Sequence, residues 1–155
     1  MFLFLLKIII SALGTLRSGK GEWMAEWIAV GPPENWEKAL EGENIWGVPQ
    51  RYEKLWSEMR EGDLLFFYVT SPVKGVVGYG RILSTFREEE PFWPQEQKEG
   101  RALWPLRMKF KPEALLPKER WAEKAVRLSR GELMPRRALQ KANRELSQKL
   151  LNSLT

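Results

Sequence analysis

The residues best suited to chemistry are two indoles and an amide. Pro33-Glu34-Asn35-Trp36 is followed by Ile45-Trp46-Gly47-Val48-Pro49, and a second aromatic group, Phe92-Trp93-Pro94, stands on a charged stretch further on. The Asn35 side chain offers a donor pair and an acceptor on one planar group. Trp46 offers a flat apolar face, and Gly47 beside it leaves the backbone open to close approach. Trp93 sits before a proline in a long loop, where a core residue is less expected. Two indoles across a gap can sandwich a base, each stack contributing ~1–3 kcal/mol. Asn35, Trp46, Gly47 and Trp93 therefore form a candidate site for a planar heterocycle. The plainer readings are a helix cap or turn for Asn35 and core packing for each tryptophan.

Composition narrows the chemistry further. The 155 residues carry 25 Lys and Arg against 20 acidic residues, a net charge of +5, which suits a polyanionic partner. There are 8 Trp, no Cys and no His. Disulfides, thiol nucleophiles, imidazole bases and Cys or His metal sites are thus excluded. The lack of Cys fits a reducing cytoplasm or a hot organism. Any enzyme would have to work through groups such as Tyr68, Asp63 and Glu34, and no motif sets a nucleophile beside a base. No P-loop follows Gly75–Gly80, and Gly78-Tyr79-Gly80 lacks the third glycine of a dinucleotide turn. Glu88-Glu89-Glu90 reads as a solvated run rather than a metal site. No cofactor and no metal are expected. Lys109, Lys111, Arg127, Arg130, Arg136 and Arg137 could follow a phosphate backbone, with Arg130, on a turn before Gly131, the best placed.

The elements that must position these residues follow from local pattern. Glu26–Val30 predicts a strand stopped by Gly31-Pro32-Pro33. Pro33 then suits the first turn of a helix ending at Gly42, with Trp36, Ala39 and Leu40 on its apolar face. Ile45–Pro49 reads as a tight turn and Arg51–Arg60 as a short helix. Leu64–Thr70 is apolar throughout, as in a central strand. A hairpin loop at Ser71–Gly75 leads to a partner strand, Val76–Leu83, whose glycines allow a bend, a bulge or close approach. Phe86–Gly100 reads as a loop, and Ala102–Phe110 as a strand with Pro105 at an edge or bulge. Pro112–Pro117 is a connection, Lys118–Leu128 a short helix, and Pro135 opens a final helix carrying Leu139, Ala142, Leu146 and Leu150. Mostly antiparallel strands with irregularly placed helices predict an α+β domain on a small curled sheet or barrel.

Residues 24–155 form one expected domain. Residues 1–23 read as an extension: a misassigned start ahead of Met24, the favoured reading, a flexible segment, or a genuine segment that docks a protein or membrane. The apolar run Met1–Leu13 is too short for an ordinary membrane span and is interrupted by Lys7, and its flanks fit a signal peptide poorly. A membrane partner is not expected.

Trp27-Ile-Ala-Val, Pro33-Glu-Asn-Trp36, Ile45-Trp-Gly-Val-Pro49, Gly62-Asp63, Phe66-Phe-Tyr68 and Val76-Val-Gly78, in this order, resemble the EVE domain family of the PUA-like superfamily, relatives of the YTH domain. The resemblance spans Glu26 to Leu151. It implies a PUA-like barrel with flanking helices and a pocket for a modified base, because YTH domains read methylated adenine in RNA. The partner it implies is RNA or DNA carrying a modified base, bound without turnover. Asn35 resembles the pocket amide and Trp46 the first aromatic wall, while Trp93 matches the second indole by loop position. Leu128-Ser129-Arg130-Gly131-Glu132 resembles the segment whose arginine holds a phosphate, which makes Arg130 the phosphate contact the resemblance implies; with Arg127 of the basic set above, it is an expected backbone contact. Gly47 replaces a serine common in YTH domains, so only a backbone contact is implied there. Tyr68 and Trp104 both qualify as a third wall.

Overall fold

Leu64–Val69 is apolar at every position because both faces of this strand are covered. The computed structural model describes residues 24–134 and 136–155. Six strands, β1 (Glu26–Gly31), β2 (Ile45–Val48), β3 (Leu64–Val69), β4 (Gly75–Arg87), β5 (Leu106–Leu115) and β6 (Leu139–Lys141), form one sheet in the order β2-β5-β4-β3-β1-β6. β1 and β3 run parallel, and the other neighbours are antiparallel. The sheet curls into the half-barrel of a PUA-like fold.

Alternation along the strands divides the core in two. Trp27, Ala29, Leu65, Phe67 and Val69 face a cluster that also holds Trp36, Trp46 and Trp93. Ile28, Phe66 and Tyr68 face the opposite cluster, with Leu146 and Leu150 of the C-terminal helix. Helix α1 (Pro33–Glu41) covers the first face. Its start is set by Pro33, whose ring fixes φ where no amide donor is needed. Trp36 and Ala39, three residues apart, are its buried residues together with Asn35.

The segment after β2 bridges the open side of the sheet. A 3₁₀ turn (Gln50–Tyr52) and the single-turn α2 (Glu53–Trp56) lie there. The Tyr52 hydroxyl accepts from the Ala138 amide at 2.8 Å, Trp56 Nε1 donates to the Arg107 carbonyl at 3.0 Å, and Lys141 pairs with Glu58 at 2.7 Å. These contacts tie both edges of the sheet together. At the other end of β1 the buried Asp63 carboxylate accepts from the Trp27 indole at 2.9 Å and from the Arg60 and Ala25 amides.

A second buried carboxylate fixes the long loop. Glu96, fully buried in α3 (Pro94–Glu99), accepts from the backbone amides of Phe92, Trp93, Leu103 and Trp104 at 2.8–3.2 Å. The buried Arg107 guanidinium lies 3.2 Å from the same carboxylate and also donates to the Glu90 and Trp104 carbonyls. Four amide dipoles and one cation supply what water would otherwise give a buried anion.

The structure departs from the sequence-based elements at several places. Ile45–Val48 is a strand rather than a turn, because it pairs with Leu106–Lys109 of β5. Arg51–Arg60 is a 3₁₀ turn and one helical turn, not a continuous helix. β4 runs on to Arg87, and α3 occupies part of the expected Phe86–Gly100 loop. Pro112 lies inside β5, tolerated where the register with β4 shifts at Tyr79/Gly80. The expected Lys118–Leu128 helix is a 3₁₀ turn and a single-turn α4 (Trp121–Lys124), after which Val126 bridges Val76. The expected helix from Pro135 is two elements. Leu139–Lys141 pairs with β1, and α5 (Arg144–Leu154) begins after Asn143, whose side chain accepts from the Leu146 amide. The expectations for residues 1–23 and for Pro135 itself lie outside the described residues.

Two stability predictions follow from the buried charges. Glu96→Gln leaves the Arg107 cation buried without its anion, so urea unfolding should show a loss of about 3–5 kcal/mol; a loss under about 1 kcal/mol contradicts the anchoring role. Glu26 is shifted the opposite way from a salt-bridged acid: burial raises its pKa above 4.5, against the pull of Arg144. A raised folded value means that stability is full below about pH 4.5 and declines as pH rises through the folded pKa. Glu26→Gln should therefore raise Tm at pH 7, with the gain vanishing near pH 4. A gain that grows on acidification contradicts this sign.

Candidate functional site

Asn35, Trp46, Gly47 and Trp93 converge. α1 contributes Asn35 and Trp36, β2 contributes Trp46 and Gly47, and the Glu96-anchored loop contributes Trp93. The Trp93 indole donates to the Asn35 carbonyl at 3.2 Å, which ties the loop to the first turn of α1. Trp93 also lies under the Arg107 guanidinium, 5.1 Å from the ring centre.

The indoles do not face each other across an open gap. Trp46 and Trp93 meet edge to face, with ring centres 5.8 Å apart and planes at 71°. Trp46 instead lies flat on Trp36, at 3.7 Å and 7°. Relative exposures of 3% for Trp46 and 1% for Trp93 make this a closed aromatic stack, not an open slot. The open-gap expectation is corrected on this point: Trp36, read from sequence as the apolar face of a helix, takes the place opposite Trp46.

The three stacked or abutting indoles are held unequally. Trp36 Nε1 donates to the Tyr68 carbonyl at 2.9 Å, and Trp93 Nε1 to the Asn35 carbonyl. Trp46 Nε1 is buried with no hydrogen-bond partner among the described residues. An orphaned buried donor costs about 1–3 kcal/mol. Asn35 is only 5% exposed and meets the cluster through its backbone carbonyl, which accepts from the Trp93 indole. One unpartnered donor therefore sits in the aromatic cluster, where polar atoms ordinarily find partners.

Close approach explains the two glycines. A Cβ on Gly47 would lie 2.7 Å from the Trp104 carbonyl oxygen and 2.9 Å from the Trp93 ring. A Cβ on Gly31 would overlap the Trp46 ring itself. Trp46 thus fills a narrow space between the Trp36 face and the end of β1.

Of the two third-wall candidates, Trp104 packs edge to face on Trp93 at 5.7 Å. Tyr68 gives the cluster only its carbonyl, since its ring belongs to the opposite core face. Burial raises the Tyr68 phenol pKa, with Arg127 opposing the shift. Arg127 therefore stands near that opposite face. Arg130 is exposed on the turn that follows, and no carboxylate among the described residues is within ion-pair distance of either arginine. A cleft beside Phe92 brings Arg107 and Lys109 together with Glu43, Glu88 and Glu90. Among the described residues, no group of acidic side chains could hold a metal ion, and no helix is long and apolar enough to cross a membrane.

One known protein matches this chain in sequence, and solved structures match it in fold. A UPF0310 protein of Pyrococcus abyssi is 30% identical over 95 residues, covering 57% of this chain and 66% of the relative, so the match spans just under two thirds of that protein. An ASCH protein of Zymomonas mobilis superposes with a TM-score of 0.53 at 16% identity, over 83% of this chain and 94% of its own. The Mmi1 YTH domain, solved in complex with RNA, superposes with a TM-score of 0.52 at 12% identity, over 84% of this chain and 78% of its own. At these identities the two structures establish the fold alone. Residues 25–151 match the EVE domain, and the chain belongs to that family.

Proposed function

We propose that the protein is a non-enzymatic nucleic-acid binding module that reads a modified base in RNA or DNA at the Asn35–Trp46–Trp93 cluster. The observation that carries this reading is the buried Trp46 Nε1, a donor without a partner inside the aromatic stack, with Asn35 beside it on the first turn of α1. Family membership and the likeness to a YTH domain solved with RNA support the same partner class. A base enters by parting the Trp36–Trp46 stack. Trp36 is the fixed face, because its indole is bonded to the Tyr68 carbonyl. Trp46 is the mobile one, because turning outward breaks no hydrogen bond of its own indole. The freed Asn35 amide then meets the ring edge with donor and acceptor. An enclosed aromatic slot favours an added methyl group by ~0.8 kcal/mol per buried carbon, which is how a modification is distinguished from the plain base.

For the enzymatic reading, Asp63 and Tyr68 are not a working pair. Asp63 lies at the start of β3, where it holds Trp27, and Tyr68 lies at its far end. Five residues of strand separate them by ~16 Å, so these groups cannot act on one bond.

Titration with a panel of oligonucleotides bearing methylated, thiolated and hydroxymethylated bases should quench tryptophan fluorescence more strongly for one modification than for the plain sequence. Asn35→Ala should lower that preference about tenfold or more. Trp46→Ala should abolish it while leaving weak, salt-sensitive binding, with folding verified by circular dichroism. A flat response across the whole panel sinks the proposal.

A further inference from the structure

Arginines other than Arg127 and Arg130, the two expected from the sequence, also stand at the aromatic cluster's end of the half-barrel. Val30 of β1 donates its amide to the Ala138 carbonyl at 2.9 Å, and the Ala138 amide donates to the Tyr52 hydroxyl. Arg136 and Arg137 immediately precede Ala138 and are exposed. Arg51 immediately precedes Tyr52, is exposed, and stands 5.1 Å over its ring. The next residue of β1 after Val30 is Gly31, against which the Trp46 ring packs. Ala138 and Tyr52 thus bring Arg51, Arg136 and Arg137 to the same end of the half-barrel as the Trp36–Trp46 stack. Arg127 stands by the Tyr68 ring, at the same end of the half-barrel because Tyr68 pairs with Val30, but on the other face of the sheet.

These three guanidiniums also lack acidic partners. The neighbouring acids are engaged elsewhere: Glu53 binds Arg87 and Gln50, and Glu132 binds Lys149 and the Ser129 amide. No ion pair involves Arg51, Arg136 or Arg137 among the described residues. Arg136 has a φ of 61°, in the left-handed region that costs a side-chain-bearing residue energy and that glycine takes freely. The loop holding it is fixed from both sides, by the Tyr52–Ala138 bond and by Gln140, which binds Met134 and Glu132. A strained arginine with no acidic partner, on a pinned loop beside an incompletely bonded aromatic cluster, is an arrangement that packing alone does not require.

We propose that Arg51, Arg136 and Arg137 form the phosphate track of this protein, gripping the nucleic-acid backbone beside the base that enters the cluster. The identity of the partner rests on the base-reading proposal, but the location of the track does not depend on base preference. Arginine forks match phosphate oxygens two at a time, and these contacts position a strand without reading its sequence.

The test compares the full chain with a triple variant, Arg51→Gln, Arg136→Gln and Arg137→Gln, on single-stranded RNA and DNA oligonucleotides with and without the modified base. A charge-matched control carries Lys98→Gln, Arg101→Gln and Lys124→Gln. The triple variant should bind all oligonucleotides at least about tenfold more weakly, keep the ratio of modified to plain affinity, and flatten the salt dependence by about 2 in log–log slope. The control should lose much less. Arg136→Gly alone should weaken binding while leaving Tm unchanged or raised, which a merely structural arginine would not do. An unchanged salt slope, an equal loss in the control, or no nucleic-acid binding by the wild-type chain overturns the track. Wild-type binding without base preference, lost in the triple variant, upholds the track and defeats the base-reading proposal.

Discussion

One buried carboxylate makes the candidate site possible. Glu96 gathers four backbone amides and the Arg107 guanidinium, and so fixes a loop that its own charge and prolines would leave open. With that loop fixed, Trp93 reaches α1 and bonds the Asn35 carbonyl. Trp36 is pinned independently through the Tyr68 carbonyl. Two of the three central indoles therefore have their donors satisfied and their planes set. The third, Trp46, is packed between them with its donor unused. The cluster is rigid on every side but one.

This asymmetry is what separates a site from a core. A fully satisfied aromatic core gains nothing from a visitor, because all the packing and hydrogen bonding given up on entry has to be replaced. On the proposed reading, entry of a planar ring replaces the Trp36–Trp46 stack with two ring-on-indole stacks, and Trp46 Nε1 gains a partner. Opening still removes a large indole from a buried setting, so ligands that offer less than two faces and an edge should not enter. Selectivity then comes from the cost of opening as much as from the fit of the occupant.

Much of the scaffold was legible in the chain, for identifiable reasons. β3 declared itself by being apolar at every position, and α1 by Pro33 at one end and Gly42 at the other. β2 did not, because Ile45-Trp46-Gly47-Val48-Pro49 carries a glycine and a proline that locally favour a turn; its strand conformation comes from pairing with β5, some sixty residues away. The C-terminal helix was begun too early because Leu139 and Ala142 continue its apolar phase, although Asn143 before Arg144-Glu145-Leu146 is a cap signal. Within the site, the resemblance and the residue pattern named four residues that do converge, yet the stacking role of Trp36 was hidden by its equally good fit to a helix core. Glu96 was lost among exposed charges, though Pro94 at the first helical position with an acid two residues on marks a helix start. Burial of Arg107 depends on Glu96, a long-range pairing that no local pattern displays.

In the proposed function, base entry turns on Trp46 being the indole that moves. The most direct measurement is the set of indole N–H resonances in a ¹⁵N-tryptophan-labelled sample titrated with the modified-base oligonucleotide panel. The Trp46 resonance should shift or broaden on addition of the oligonucleotide that binds, while the Trp36 resonance keeps its hydrogen-bonded exchange protection. Binding that leaves the Trp46, Trp36 and Trp93 resonances all in place would contradict this role, since the nucleic acid would then be held entirely outside the aromatic cluster.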